Sequence, residues 1–239
     1  MSQPAWSEDW FDTATPLGVA SWRGVDAQYI VATMRLVDNL REQAILEKVL
    51  QNAQSGLAGP PRSRSARLYA PQHELLTAPF RHRSPHASRF RPAGAAGVWY
   101  GAQTLHAAAA EVAYWRWRFL SASAGLRDKA LLTEHLFFQA QVGGLAIDLG
   151  LPPWVELREA WTRDRDYSQT QALAKDSIAR GVRWLRYESV RHPGGCCAAV
   201  FDVLALSLDD PFPQQTWHCK TTLDSVMLQH DADRFEWRF

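Results

Sequence analysis

A strand followed closely by a helix is predicted by the stretch VWYGAQTLHAAAAEVAYWRWRFL, residues 98–120. Its first three residues favour a short strand, and Thr104 is a typical N-cap for a helix that begins at Leu105 and runs to about Leu120. Four consecutive alanines give this helix a high intrinsic propensity and one side thin enough for close packing. We therefore expect the helix to pack against a sheet through that side.

Glu111 places a carboxylate inside the apolar part of this helix. Its neighbours from Ala107 to Val112 are otherwise small or apolar. A carboxylate buried without a partner is costly, so a partner is expected from elsewhere in the chain. The pattern leaves two interpretations open: a functional acid in a pocket, or a residue at the edge of the helix that reaches water.

The rest of the chain mixes strands and helices without strict βαβ alternation. Residues 131–142 and 145–149 favour a hairpin around Gly143-Gly144, a common turn dipeptide. Further elements are predicted as a weak helix at 154–161, a helix at 169–180 capped by Ser168 and ended by Gly181, strands at 182–187 and 197–203, and one or two short strands beyond Pro213. This pattern predicts an α+β fold rather than a doubly wound sheet.

The N-terminal part differs from the remainder. An irregular arm is predicted for residues 1–25, an amphipathic helix for 27–53, a Gly-, Pro-, Ser- and Arg-rich linker for 54–67, and a long loop for 68–98. We therefore divide the chain into an N-terminal arm, helix and linker, residues 1–66, and a main domain, residues 67–239. The helix needs a surface for its apolar face, either the core or a second subunit of a homodimer.

Composition excludes several classes of protein. The chain has 239 residues with 26 basic and 25 acidic side chains, and this balance gives it no charge with which to coat nucleic acid or an anionic membrane. No apolar stretch approaches the roughly 20 residues needed to cross a bilayer, and a signal-peptide pattern is absent. Three cysteines without CxxC spacing disfavour a disulfide framework and a metal site. A cytoplasmic location is expected.

Arginines are concentrated between residues 60 and 92, where seven of them accompany a single acid, Glu74. Arg89, in a Ser-Arg-Phe triplet, and Arg81, in Pro-Phe-Arg-His-Arg, are candidate clamps for an anion, because a guanidinium matches pairs of phosphate or carboxylate oxygens. Aromatic residues interleave with these arginines, so a nonenzymatic nucleic-acid-binding module is an alternative, which the neutral total charge disfavours. Solvated loop charges would give the same pattern.

Ser189 follows a predicted strand and precedes Gly194-Gly195, a position typical of binding hydroxyls. The motif GxSxG is absent, which argues against a serine nucleophile on a strand-to-helix elbow. Glycine-rich phosphate loops are absent as well. We interpret Ser189 as a hydrogen-bonding residue of a site.

The order Arg89, Glu111, Ser189 resembles the RES domain family, which is named for its Arg, Glu and Ser. The resemblance covers about residues 67–205 and rests on short segments: PFR at 79–81, SRF at 88–90, GVWYG at 97–101, AEVAY at 110–114 and YESVRHPGG at 187–195. Two positions depart from the family pattern. Glu188 stands where an uncharged residue commonly precedes the Ser, and Cys196 stands where an Asn often follows the glycine pair.

The resemblance implies the toxin of a bacterial toxin–antitoxin pair, with a strongly bent, mixed sheet similar to that of ADP-ribosyltransferase toxins. It implies an enzyme that consumes NAD by breaking the bond between nicotinamide and ribose, as an NAD phosphorylase or glycohydrolase, or that alternatively transfers ADP-ribose to a protein. NAD is then the substrate, no prosthetic group is expected, and an antitoxin protein is expected to cover the pocket.

Carried over residue by residue, the pocket consists of Arg89, Tyr100, Glu111 and Ser189, with Arg81 as a second anion-binding residue. The chemistry of these groups agrees with the implied reaction. A carboxylate such as Glu111 stabilises a ribosyl cation and bonds ribose hydroxyls, while Arg89 suits a pyrophosphate. Tyr100 offers an aromatic face to nicotinamide, and Ser189 is expected to hold a ribose or phosphate oxygen. Nicotinamide leaves as a neutral molecule, so no strong general acid is required.

Overall fold

The computed structural model describes residues 5–27, 71–81 and 83–239 of the chain. The predicted helix at 27–53, beyond its first residue, and the linker at 54–67 lie outside the described residues. Both stay predictions.

Within the described residues, nine strands form one mixed sheet, accompanied by four α-helices and four short 3-10 turns. The strands are β1 Thr15–Asp26, β2 Trp99–Ala102, β3 Leu131–Asp148, β4 Trp184–Glu188, β5 Cys196–Val200, β6 Leu206–Ser207, β7 Gln214–Thr221, β8 Ser225–His230 and β9 Asp233–Arg238. The helices are α1 Pro71–Arg81, α2 Leu105–Ala122, α3 Arg158–Thr162 and α4 Ser168–Ala179. The 3-10 turns are Glu8–Thr13, Ala124–Leu126, Trp154–Leu157 and Val203–Ala205.

The sheet curves round on itself. Strands β1, β2, β5, β4 and β3 pair in that order, and β3 pairs again with β1, so these five strands close a circuit. Strands β7, β8 and β9 extend it as an antiparallel series from the other edge of β3. Among the described strands, β3 and β4 are the one parallel pair. The predicted α+β class with a mixed sheet is confirmed, and a closed circuit requires the sheet to bend strongly.

The predicted hairpin around Gly143-Gly144 is wrong. β3 is one continuous strand, and both glycines lie inside it, opposite Gly18 and Leu17 of β1. The ladder between β1 and β3 extends over residues 135–146, and this pairing outweighs the local turn preference of two glycines. Gly144 has φ +112°, and close to it the other edge of β3 changes partner from β6 to β4. Gly144 therefore bends the strand and does not reverse it.

The irregular arm predicted for residues 1–25 is wrong for most of its described length. Residues 8–13 form a 3-10 turn, and residues 15–26 form β1, which pairs with β3 at every position. The segment TPLGVASWRGVD has Gly, Pro and Ser among its apolar residues and no strict alternation, so its strand character comes from its neighbours in the sheet. The division of the chain at residue 66 stays a prediction, but β1 belongs to the same sheet as the strands that follow it.

The long loop predicted for residues 68–98 contains a helix, α1. A loop was the simpler interpretation because residues 71–81 contain two prolines. However, Pro71 is the first residue of α1, where the missing N–H is not needed, and Pro79 lies in its last turn. Between α1 and β2, the described chain is irregular apart from one isolated β-bridge that joins Ser88 to Arg91.

Helix α2 agrees closely with the prediction. The Thr104 hydroxyl accepts the backbone N–H of Ala107 at 3.2 Å, and the helix continues to Ala122. The four alanines 107–110 are buried, and α2 contacts β1, β7 and β8. Four consecutive residues point in all directions around a helix, so this part of α2 is buried on every side, and Glu111 follows directly after it.

The later elements occur close to where the sequence predicts them. The weak helix at 154–161 is a 3-10 turn followed by α3, and α4 begins at Ser168 itself, without a side-chain cap bond. Strands β4 and β5 match the two predicted strands, while three strands rather than one or two follow Pro213. In the part of the chain that the structure describes, no helix has both the length and the hydropathy that crossing a bilayer demands.

Candidate active site

A cavity of about 870 Å³ opens between α2, the strands β1 and β2, and the irregular segment before β2. Arg89, Tyr100 and Glu111 line it together, and Ser189 lies next to it in contact with Glu111. The volume lies within the range of pockets that bind cofactor-sized molecules. The structure therefore brings four of the five predicted residues to one place, although they come from distant parts of the chain.

Glu111 is held by a buried hydroxyl. Ser189 Oγ donates a hydrogen bond of 2.9 Å to Glu111 Oε1, and Ser189 is only 3% exposed. Burial raises the pKa of the Glu111 carboxyl, while the Ser189 hydrogen bond and the charges of Arg191 and Arg89 oppose this rise. The carboxylate is thus fixed in direction at a cavity wall, with a cationic environment that favours its ionised form.

Ser189 is positioned by the turn between β4 and β5. Its backbone N–H donates to the carbonyl of Gly195 at 2.8 Å. Its Oγ accepts the backbone N–H groups of Arg191 at 3.2 Å and His192 at 3.1 Å. With two donors on its oxygen, the hydroxyl hydrogen is left to point at Glu111. Ser189 therefore orients the carboxylate rather than facing the cavity itself.

Arg89 lies in the short segment that the Ser88–Arg91 bridge constrains. Its Nη1 donates to the carbonyls of Trp161 at 2.7 Å and Arg163 at 2.8 Å. Its guanidinium carbon lies 5.1 Å from the centre of the Tyr167 ring, which also lines the cavity. The two carbonyls fix the orientation of the guanidinium through one nitrogen.

Tyr100 lines the cavity from β2, and its phenol oxygen is already engaged. This oxygen accepts the backbone N–H of Phe90 at 3.1 Å and shares a hydrogen bond of 2.9 Å with Ser88 Oγ. Burial raises the pKa of the phenol, so the group is neutral at physiological pH. Tyr100 therefore ties β2 to the segment that carries Arg89, and its ring remains available as a cavity wall.

Arg81 is not brought to this cavity. It lies at the end of α1, where its Nη1 bonds Glu74 Oε1 at 2.7 Å and its Nη2 bonds Thr77 at 2.8 Å. The two partners are seven and four residues earlier, on the same face of the helix. The helix that the sequence did not predict therefore explains why Arg81 is directed elsewhere.

Six arginines line the cavity, against two acids, Asp26 and Glu111. A cavity with this excess of guanidinium groups attracts anions. The Arg-rich window contains only part of the set, because the other members come from β1, α2 and the loop after β4. The six are Arg23, Arg89, Arg91, Arg116, Arg118 and Arg191.

Arg23, on β1, is the most consequential residue that the sequence analysis missed. Its Nη1 donates to the Tyr100 carbonyl at 2.8 Å, whereas its buried Nε has no hydrogen-bond partner in the described structure. Burial lowers the pKa of the guanidinium to about 10. A buried cation with an unused donor at a cavity wall is suited to an anionic ligand. A strand prediction for residues 15–26 would have been needed to place Arg23 beside Tyr100.

Arg191 is a second missed residue. Its Nη2 pairs with Asp164 Oδ1 at 2.6 Å, and its guanidinium carbon lies 3.4 Å from the centre of the Tyr114 ring. Its backbone N–H bonds Ser189, and its charge lowers the pKa of Glu111. The sequence offered one indication of its role, because Arg191 follows Ser189 by two residues.

The two departures from the family pattern do not place an extra charge in the cavity. Both Glu188 carboxylate oxygens bond Arg158, at 2.6 and 2.7 Å, on the outer surface. Glu188 and Ser189 are consecutive residues at the end of β4, so their side chains point to opposite sides. Cys196 is half-buried, whereas its neighbour Cys197 is the one that lines the cavity. Glu188 therefore adds no negative charge to the lining of the cavity.

Comparison with known proteins finds a matching family and a similar solved structure. A family model described as RES domain matches residues 64–222, more than half of the chain. None of the curated proteins compared with the chain matches it. The crystal structure of the M. tuberculosis MbcT-MbcA toxin-antitoxin complex is similar, with a TM-score of 0.47 and 12% sequence identity over 90% of this chain and 91% of that chain.

Proposed function

Because this chain belongs to the RES domain family, we propose that it is a bacterial toxin that consumes NAD by cleaving the bond between nicotinamide and ribose. One observation carries the proposal: a buried Ser189 hydroxyl directs the Glu111 carboxylate at the wall of a cavity rich in arginine. This combination supplies one fixed negative charge within a site that otherwise attracts anions.

Glu111 acts on the ribose in this proposal. As nicotinamide departs, positive charge develops on the ribose ring, and a carboxylate already in place lowers the energy of that state. The carboxylate must be ionised, although burial raises its pKa. The Ser189 hydrogen bond and the charges of Arg191 and Arg89 favour the ionised form. The leaving nicotinamide is neutral, so the site needs no strong general acid.

Arg23 and Arg89 bind the pyrophosphate in this proposal. The Nε of Arg23 is unused, and one nitrogen of Arg89 is already fixed by two carbonyls, so neither guanidinium needs to reorganise on binding. A preorganised cation loses less conformational entropy when it meets its ligand. The rings of Tyr100 and Tyr167 line the same cavity and suit the nicotinamide and base planes.

The acceptor of the ADP-ribosyl group defines the alternatives. Phosphate as acceptor makes the protein an NAD phosphorylase, water makes it a glycohydrolase, and a side chain of another protein makes it an ADP-ribosyltransferase. The toxin is proposed to act in the cytoplasm and to be covered by an antitoxin protein. A homodimer formed through the predicted helix at 27–53 is part of the same proposal.

Incubation of purified protein with NAD, with and without phosphate, tests the proposal by measuring released nicotinamide. We expect release by the wild-type protein and identify the acceptor from the second product: ADP-ribose 1″-phosphate, ADP-ribose or a modified protein. Glu188→Gln is the matched control, because it removes a carboxylate next to Ser189 that faces Arg158 instead of the cavity. No nicotinamide release under any of these conditions would contradict the proposal.

A further inference from the structure

Five aromatic side chains form a cluster, three of them from the N-terminal end of the described chain and two from residues 154–161. Trp6 packs on Trp161 with ring centres 5.9 Å apart, and Trp10 and Phe11 pack on Trp154 at 5.3 and 5.2 Å. Trp6, Phe11, Trp154 and Trp161 are all buried. We call this set the N-terminal aromatic cluster.

Hydrogen bonds fix the cluster to the segment around α3. The Trp154 indole donates to Thr13 Oγ1 at 2.9 Å, and the Trp161 indole donates to the Trp154 carbonyl at 2.8 Å. The guanidinium carbon of Arg180, the residue that follows α4, lies 4.2 Å from the centre of the Phe11 ring. The residues before β1 are thus bound to residues 154–163 by packing and by directional bonds.

The same segment also holds Arg89. The carbonyls of Trp161 and Arg163 accept both hydrogen bonds of Arg89 Nη1. Thr170 Oγ1 bonds the Arg89 carbonyl, and Gln171 Nε2 bonds the carbonyls of Ser88 at 3.0 Å and Arg91 at 3.2 Å. A displacement of Trp161 would therefore displace the carbonyl that orients the guanidinium.

The cluster itself makes no contact with the cavity in the described structure, since none of its five members is among the lining residues. Trp6, Trp10 and Phe11 also precede the region that the family model matches, which begins at residue 64. They nevertheless pack against Trp154 and Trp161, and the carbonyl of Trp161 is one of the two that bond Arg89.

We infer that the N-terminal aromatic cluster positions Arg89 for substrate binding, with Trp6 acting through Trp161 as a positioning residue. This inference rests on the proposed function, because it takes Arg89 to bind the pyrophosphate of NAD. The cluster supplies rigidity only, and a loosened Arg89 weakens substrate binding more than it slows the bond cleavage at Glu111.

The test compares Trp6→Ala with Trp6→Phe, which keeps a ring on Trp161. We expect Trp6→Ala to raise KM for NAD by about tenfold with a smaller change in kcat, and Trp6→Phe to restore most of the affinity, because misplaced binding groups are costly even when distant from the chemistry. Phe212→Ala is the control: it removes a buried ring that packs on Phe138 in a separate part of the core, so it should lower Tm without changing KM.

A double-mutant cycle separates positioning from general loss of structure. In an Arg89→Gln background, Trp6→Ala should raise KM by less than about twofold, since two changes that act through one group are not additive. An equal rise in both backgrounds, or a rise in KM for Phe212→Ala as large as that for Trp6→Ala, would overturn the inference.

The proposed function and the positioning of Arg89 by the cluster can fail independently of each other. If Arg89→Gln does not alter NAD consumption, or if the wild type consumes no NAD, the role of Arg89 in the proposed function is wrong. In that case amide hydrogen exchange still tests whether the N-terminal aromatic cluster holds Arg89 in place. Trp6→Ala should accelerate exchange in residues 158–163 and 88–91 but leave β7–β9 unchanged, and unaltered exchange in both segments would contradict the positioning.

Discussion

The Glu111 carboxyl is subject to two opposing influences, and their balance has consequences for activity and stability. Burial raises its pKa, and the neighbouring Ser189, Arg191 and Arg89 lower it by less than burial raises it. The folded state therefore holds the proton of this group more tightly than the unfolded chain. Ionising Glu111 therefore costs stability at neutral pH, whereas the proposed reaction requires the ionised form.

A pH dependence follows for Glu111. Because the folded pKa lies above the unfolded value, the contribution of Glu111 to stability is present at low pH and is lost as the pH rises through the folded pKa. Glu111→Gln removes this loss of stability, which amounts to about 1.4 kcal/mol for each pKa unit by which the folded value exceeds the unfolded value. We expect the variant to melt at or above the wild-type temperature at pH 8, with a smaller difference at pH 4. A variant that is less stable than the wild type at pH 8 alone would contradict this.

The rate of NAD consumption should follow the same group in the opposite sense. It should fall as the pH drops through the raised pKa of Glu111, hence at a higher pH than for an exposed glutamate, whose ordinary pKa is 4.5. Titration of the initial rate of nicotinamide release measures this directly.

Arg23 allows a second prediction at the residue scale. Arg23→Lys keeps the positive charge but loses the planar set of donors, and hydrogen bonds to charged groups are worth about 1.5 to 3 kcal/mol, so KM for NAD should rise about tenfold or more. Arg183→Lys is the matched control, since Arg183 pairs with Asp202 and lies outside the cavity. Steady-state kinetics of both variants measures the two KM values. Equal KM values for Arg23→Lys and the wild type would remove Arg23 from the site.

At the scale of elements, β3 depends on a bend at Gly144. Its φ of +112° is unfavourable for any side chain, and a Cβ there would lie 3.0 Å from Arg183 Cδ. Gly143 has no such backbone conformation, and a Cβ on it would come no closer than 3.9 Å, to the Leu17 carbonyl. The two neighbouring glycines thus have different roles within one strand.

A pair of alanine substitutions tests this difference. Gly144→Ala should destabilise the protein by about 1 to 3 kcal/mol, the usual cost of a strained backbone conformation. Gly143→Ala should cost well under 1 kcal/mol, because its site is open and its conformation is ordinary. Chemical denaturation of both variants gives the two values. Similar losses for both would indicate that the bend is not confined to Gly144.

The sheet circuit explains how the elements build the site. β1 contributes Arg23, β2 contributes Tyr100, and α2 lies across them with Glu111. The turn after β4 delivers Ser189 to the carboxylate. Because these elements are joined by strand pairing rather than by sequence proximity, the cavity exists only in the closed sheet.

At the scale of the whole molecule, local signals predicted some features and not others. The N-cap at Thr104 and the alanine run predicted α2, since both act within one helix. The order of Arg89, Glu111 and Ser189, through its resemblance to a family pattern, predicted a candidate site whose members the structure brings together. These features depend on short segments whose chemistry can be interpreted without knowledge of the fold.

Features that depend on distant pairing were missed. β1 has no clean alternation, and Gly143-Gly144 has the composition of a turn, yet the two segments stabilise each other as a long antiparallel ladder. Arg23 was overlooked for the same reason. Its place in the cavity depends on the pairing of β1 with β2. Arg81 was overvalued because its helix, in which Glu74 lies about two turns earlier, was interpreted as a loop.

The central claim is that Glu111 drives the loss of NAD, and the NAD content of cells that express the protein tests it most directly. Wild type and Glu188→Gln should both empty the cells of NAD and arrest growth. Glu111→Gln should be about 100- to 1000-fold slower, the usual effect of removing one preorganised electrostatic group, and should leave NAD near its uninduced level. A Glu111→Gln protein that still empties the cells of NAD, or a wild type that arrests growth with NAD unchanged and no protein ADP-ribosylated, would contradict the account.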